Sequence, residues 1–221
     1  MTTTSTDYHQ YIFRRGRFIG DFEAMYRHSE EVPWHQDRTA FSIGADIDIA
    51  IMKAKRYRTI CDVGCGLGYF TNRLRTELKS PQGEPPAVTG LDMAPTAINN
   101  ASSRFPGIRF DVCNFPHPPG GMSLRGVDLV VARDVLWYVC ADLRRFLDSL
   151  TALVRAGGER GFVHVTQSFP SGDEWVGKDV IGSADTLLCM LAARVTVLYS
   201  CLERDRHWGG ACVLHAFGSV T

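Results

Sequence analysis

The chain has 221 residues, enough for one ample core and too few for two ordinary domains. Hydrophobic residues make up 45% and charged residues 22%, the balance of a folded globular protein rather than a disordered or membrane one. Twenty-four Lys and Arg offset twenty-four Asp and Glu, so no global field recruits nucleic acid or an anionic membrane.

Residues 1–6 are polar, without the basic and apolar segments of a secretion signal, and no apolar run approaches a membrane span; a cytoplasmic protein is expected. From about Asp7 to Arg27, Phe18, Ile19, Phe22, Met25 and Tyr26 recur at helical spacing and predict one or two amphipathic helices. The basic run Arg14-Arg15-Gly16-Arg17 reads as a solvated face. Val32-Pro33-Trp34 breaks the pattern, because the residue before proline is pushed out of helical geometry. A helix is predicted over Asp37–Arg56, burying Ile43, Ile47, Ala50, Ile51 and Ala54, although Ile47, Ile49 and Ile51 also alternate as in a strand. Residues 1–56 are therefore expected to form an N-terminal helical lid segment and residues 57–221 one compact domain.

Strands and helices then alternate. Thr59–Val63 is an apolar strand, followed by a helix over about Tyr69–Lys79, a loop at Ser80–Pro86, a strand at Ala87–Leu91 ending on Asp92, and a helix from Pro95 to about Arg104. Ile108–Cys113 is a third strand. Pro116–Gly121 resists helix formation, so the next crossover helix should be short or missing. Val127–Ala132 is the most apolar strand and should be central. Asp134–Ala156 reads as a helix stopped by Gly157-Gly158, Gly161–Gln167 as a fifth strand, and Ser183–Ala193 as a helix. Arg194–Leu202 and Ala211–Gly218 read as two final strands, antiparallel because no helix separates them. The fold class is α/β, a Rossmann-like doubly wound sheet, mostly parallel.

The turn after the first strand carries the chemistry. Asp62 precedes Gly64, Gly66 and Gly68, three glycines at alternate positions. A P-loop would need Gly-Lys-Ser/Thr, which is absent. A dinucleotide fingerprint would place its third small residue at Tyr69. Asp62 would repel a phosphate and attract an ammonium or sulfonium. S-adenosylmethionine meets both conditions, and Asp92 at the next strand end can accept two hydrogen bonds from its ribose diol. The seven cysteines are odd in number and form no Cys-x-x-Cys pair, so reduced thiols and no metal are expected.

On these residues the region 57–218 resembles the class I S-adenosylmethionine-dependent methyltransferases, whose sheet has seven strands with one antiparallel. The resemblance implies that Gly64 meets the methionine amino group, Gly66 allows close approach of the cofactor, and Asp92 holds the ribose. Asp62 in such enzymes organises the loop. Cys65, Met93 and Arg133 join the expected cofactor-binding set. Where an acid often meets the adenine this chain has Asn114, with Phe115 or Cys113 in its place if the register slips by one. The lead-in Glu30–Phe41 resembles that of small-molecule N-methyltransferases related to those acting on nodulation-factor sugars. It suggests that Trp34 closes over the cofactor, or else packs the N-terminal helices on the core.

For the acceptor, Asp134 is a candidate as ligand to an amine or hydroxyl, or simply a helix N-cap. Tyr138, one helical turn on, can face the same way. His207, with Trp208, sits in the final hairpin tip on the ligand side. His9 and His35 are similar candidates, and His164 reads as a core histidine. The expected reaction is methyl transfer to a small-molecule acceptor, at an amine nitrogen of an amino sugar or other specialised metabolite. The alternatives are O-methylation, an NAD-type nucleotide-binding protein, and a cofactor-binding scaffold without turnover. Partners other than the acceptor are confined to an optional second copy of the chain, with oligomeric state left open.

Overall fold

The structure is a computed structural model, and it describes residues 8–15, 17–115, 117, 126–155, 161–170, 177–205 and 211–220. The N-terminal part comprises α1 (His9–Ile12), a small hairpin of β1 (Phe13–Arg14) and β2 (Arg17–Phe18), α2 (Phe22–His28), a 3-10 turn at Pro33–His35, α3 (Gln36–Thr39) and α4 (Ile43–Met52). Then follow β3 (Thr59–Val63), α5 (Tyr69–Glu77), β4 (Ala87–Asp92), α6 (Pro95–Arg104), β5 (Arg109–Val112) and β6 (Leu129–Arg133). After two 3-10 turns, Leu136–Tyr138 and Cys140–Asp142, come α7 (Leu143–Arg155), β7 (Gly161–Phe169), α8 (Lys178–Ile181), α9 (Ala184–Ala192), β8 (Thr196–Asp205) and β9 (Ala211–Val220).

The seven-stranded sheet has the order β5-β4-β3-β6-β7-β9-β8. All of its neighbouring strands are parallel except β9, which runs antiparallel to both β7 and β8. Strand β6 is central and apolar because both faces are covered: Val130 and Ala132 meet the core under α7, while Leu129 and Val131 meet the core under α4 and α5. The chain leaves β3 outward through β4 and β5, then returns to lay β6 on the other side of β3. That reversal opens a crevice at the carboxyl ends of the strands, where ligands bind in such sheets.

Strand register loads one face with polar groups. Arg133 pairs with Thr166, Thr166 with His215, and His215 with Cys201. Alternation then puts His164 and Glu203 on the same face, and α4 covers that face.

Four expectations change. The segment 7–27 is not simply helical: the hairpin interrupts it and leaves Phe18 and Ile19 exposed. The helix over 37–56 is two helices, because the Ser42 hydroxyl accepts from Ala45 N at 3.2 Å and starts α4 afresh. Its buried face also differs, with Ile43, Ala50 and Ala54 exposed and Asp48 buried beside Ala45, Ile49 and Met52. The helix from Asp134 is delayed to Leu143, since Asp134 itself has φ of 55°. Most of Pro116–Gly121, and Gly157-Gly158, lie outside the described residues.

Candidate functional site

A cavity of about 660 Å³ opens at the strand reversal, walled by the sheet ends and by the N-terminal elements. Its inner edge is the turn after β3, where Gly64, Gly66 and Gly68 have φ of 77°, 53° and 79°. A side chain would be strained at each. Gly64 and Cys65 donate to Leu91 O at 2.8 and 2.9 Å, which fastens the turn to β4. Both residues border the cavity. Gly66 and Gly68 do not: a Cβ on Gly66 would sit 2.4 Å from Gln36 Oε1, and one on Gly68 2.8 Å from the Phe110 ring.

Two carboxylates flank this turn. Asp62 is buried and accepts from Thr71 Oγ1 at 2.6 Å. Burial pushes its carboxyl up to about 6, with Asp92 adding to the rise and Thr71 and Arg133 opposing it. Asp92 accepts from Gly66 N through Oδ2 and from Ala94 N through Oδ1, both at 2.9 Å. Its pKa is raised by burial against those backbone donors. Met93 stands at the rim. Beyond β5 the Asn114 side chain is exposed, while Cys113 and Phe115, the two alternatives of a register slipped by one, line the cavity.

On the opposite wall, Asp134 is no N-cap. Its left-handed backbone turns the carboxylate to β7, where Oδ1 accepts from Ser168 N at 2.9 Å and Ser168 Oγ at 2.7 Å. Tyr138 lies on a 3-10 turn and stacks among aromatic rings, 5.0 Å from Phe22, 5.7 Å from Trp34 and 5.9 Å from Phe18. Burial raises its hydroxyl pKa. Trp34, with φ of 51°, packs against the N-terminal rings and also borders the cavity. His9 and His35 also border it, and His207 and Trp208 lie outside the described residues.

Several lining residues carry no signal in the sequence. Gln36 joins the N-terminal part to the glycine turn, its Oε1 accepting from Leu67 N and its Nε2 donating to Tyr26 Oη, each at 2.8 Å. No motif links positions 31 residues apart. Glu203 and Val213 close the side nearest α4.

Beneath the cavity lies a buried polar node. Asp48 Oδ1 accepts from His164 Nε2 at 2.7 Å, His215 Nδ1 at 2.6 Å and Thr166 Oγ1 at 2.5 Å, while Oδ2 accepts from Arg133 Nε at 3.0 Å. His164 is thus a core histidine, as its mid-strand position suggests. Asp48, His164 and His215 are also close enough together to hold a metal ion. The hydrogen bonds already made by Asp48, and the fixed Arg133 charge beside it, make this a hydrogen-bond node rather than a metal centre. Its carboxyl is held well below the usual range: the two histidines and Arg133 outweigh burial.

Residues 61–159 match the family model described as a methyltransferase domain. Comparison with curated proteins gives no match. Among solved structures the chain is similar to the N-methyltransferase NodS from Bradyrhizobium japonicum WM9 in complex with S-adenosylhomocysteine. That similarity has 18% identity and a TM-score of 0.67, over 90% of this chain and 97% of that one. A SAM-dependent methyltransferase from Aquifex aeolicus is similar with 15% identity and a TM-score of 0.57, over 80% and 89% of the two chains. A TehB-like SAM-dependent methyltransferase from Corynebacterium glutamicum has 21% identity and a TM-score of 0.55, over 86% and 100%. At these identities the likeness is one of fold.

Proposed function

We propose that this chain is a class I S-adenosylmethionine-dependent methyltransferase, a reading that its domain match and its sheet support, and that it moves the methyl group to an amine nitrogen of a small molecule. An amino sugar or comparable specialised metabolite fits the reading. One observation carries it: a single cavity joins Gly64 and Asp92 to Asp134 and Tyr138, at a volume that suits one cofactor beside one small acceptor. The described part of residues 1–56 acts in this reading as the lid over that cavity.

The residues present fit the cofactor. Gly64 offers bare backbone, Asp92 has lone pairs beyond the two given to Gly66 N and Ala94 N for a ribose diol, and Cys113 and Phe115 offer an apolar wall for a purine. When bound, S-adenosylmethionine would supply a methyl group on a sulfonium, transferred in line to the acceptor's lone pair with the neutral thioether as leaving group. The protein's part is to align that lone pair and exclude water. Trp34, Phe22 and Tyr138 form the apolar cover. Asp134, fixed by Ser168, and Tyr138 face the acceptor half and orient its polar groups. Gly66 and Gly68 act beneath the surface, shaping the turn that Gln36 caps.

The test is direct. S-adenosylhomocysteine at 100 times its Kd should add about 2.7 kcal/mol to stability, a Tm rise of ~5–10 °C for a chain of this size. NAD should not. A Tm raised by NAD alone would overturn the cofactor assignment, and a methylated amine detected by mass spectrometry would separate an enzyme from a scaffold.

A pH dependence follows from Asp62. The amino-acid ammonium that S-adenosylmethionine and S-adenosylhomocysteine share favours the ionised form of Asp62, so below a pKa of about 6 binding must first expel a proton. Affinity for S-adenosylhomocysteine should fall with each pH unit below that point, by up to about tenfold. Asp62→Asn should flatten the profile. Calorimetric titrations from pH 5 to 8 that are level for the unmodified protein would remove Asp62 from the electrostatics of the site.

A further inference from the structure

The cavity is acidic. Asp62, Asp92, Asp134 and Glu203 border it, and Arg133 is the one Lys or Arg among the described lining residues. Arg133 is engaged by Asp48 through Nε and lies 3.7 Å from Asp134. Among the described lining residues, an anionic acceptor would therefore meet repulsion with no uncommitted Lys or Arg to offset it. Three of the carboxylates have partners or roles on the cofactor side or in β7. Asp62 holds Thr71, Asp92 holds the glycine turn, and Asp134 holds Ser168.

Glu203 differs. It sits on β8 at the ligand edge of the sheet, its side chain only 14% exposed. Oε2 accepts from His215 Nε2 at 3.2 Å, and His215 Nδ1 is in turn fixed by Asp48 at 2.6 Å. Oε1 receives no hydrogen bond from the described residues. Room for the carboxylate comes from Gly44, where a Cβ would lie 2.7 Å from Oε2. Glycine near the start of α4 forgoes helix stability that alanine would give, and the space it leaves is filled by this carboxylate. A largely buried carboxylate with one committed oxygen, among described lining residues short of free Lys and Arg, is built to receive a cation.

We infer that Glu203 is the acceptor-binding carboxylate, taking a protonated amine of the substrate and accepting one N–H proton from it so that the freed lone pair can take the methyl, with His215 and Asp48 as the positioning residues that hold it. The inference rests on the methyl-transfer reading above and adds the charge that the acceptor must carry. It selects amines over neutral or acidic molecules of the same shape.

The experiment titrates glucosamine and ethanolamine, each against its neutral counterpart glucose or ethylene glycol, into protein saturated with S-adenosylhomocysteine. At least one amine should bind about tenfold or more tightly than its counterpart, the scale of one charge-assisted hydrogen bond. Glu203→Gln should abolish that preference and Glu203→Asp keep part of it, with S-adenosylhomocysteine affinity unchanged as the check on folding. His215→Asn should weaken amine binding less than Glu203→Gln does, and the double variant should be no worse than Glu203→Gln alone. Gly44→Ala should also weaken amine binding, by moving the carboxylate. Absence of any amine preference, or a preference that survives Glu203→Gln, overturns the assignment while leaving the cofactor reading intact. Failure of the unmodified protein to bind S-adenosylhomocysteine removes the premise, and this inference with it.

Discussion

Asp92→Ala is expected to weaken S-adenosylhomocysteine binding by about 100-fold or more. Hydrogen bonds to a charged group are worth about 1.5–3 kcal/mol each, and the variant removes two from the ribose. It also frees Gly66 N and Ala94 N, the donors that the carboxylate now holds at 2.9 Å. The glycine turn loses its Gly66 tether and keeps only those of Gly64 and Cys65 to Leu91 O, so part of the preorganisation is lost with the contacts. Asp92→Asn should be nearly as severe. Both carboxylate oxygens accept from backbone N–H groups, and an amide must turn its NH2 toward one of those donors. Asn114→Ala is the matched control, since that side chain is exposed and should leave affinity within a few-fold. Calorimetry with the three variants checks the point, and retention of full affinity in Asp92→Ala would end the ribose assignment.

The parts of the fold legible in the sequence were those governed by local rules. Thr59–Val63 reads as a strand from an apolar run bounded by a glycine turn, and the structure begins and ends β3 at those residues. Pro95 at the first turn and Arg104 at the last likewise bound α6. Asp62, the glycines and Asp92 are legible because they lie on one continuous turn and the next strand end, where local spacing alone sets them apart. What escaped depends on contacts across the sheet. Asp134 precedes the apolar run Val135–Val139, which looks helical, yet its φ of 55° follows from the pull of Ser168 on β7. Asp48 sits in a helix whose isoleucines suggested another buried face. Ile43 is 73% exposed there and Asp48 fully buried. The reason is tertiary: His215, 167 residues away, and Arg133, 85 away, supply the partners that make burial of a carboxylate tolerable. Gln36 and Glu203 escaped for the same reason, since neither belongs to a pattern until the sheet is assembled.

Asp48→Ala is expected to cost the fold about 3–5 kcal/mol, the scale for breaking a buried ion pair from one side. In a chain of this size that is a Tm loss of ~10 °C. The loss arises less from the four hydrogen bonds than from what they leave behind: the Arg133 charge and the inner nitrogens of two histidines, buried without an acceptor. The pH dependence carries the signature. Asp48 titrates below its unfolded value near 3.8, so its contribution is present above that pH and fades as the solution is acidified. His215 behaves oppositely. Burial pulls its pKa down, but the hydrogen bonds and charges of Asp48 and Glu203 outweigh burial and leave it raised. Its contribution is full below the unfolded value of about 6.5 and is lost as pH rises through the higher folded one. The stability difference between the unmodified protein and Asp48→Ala should therefore peak between about pH 4 and 6.5 and narrow on both sides. Chemical denaturation at pH 3, 5.5 and 9 reads this directly. A difference that stays flat across the three, or that falls below about 1 kcal/mol at pH 5.5, would mean that solvent reaches the node and screens it. Replacing Asp48, His164, His215 and Arg133 together by apolar residues, with Glu203→Gln to spare the carboxylate that His215 holds, should cost less than Asp48→Ala alone, because no charge is then left stranded. That contrast separates a node that stabilises the fold from one whose net worth lies in holding Glu203 and Arg133 at the cavity wall.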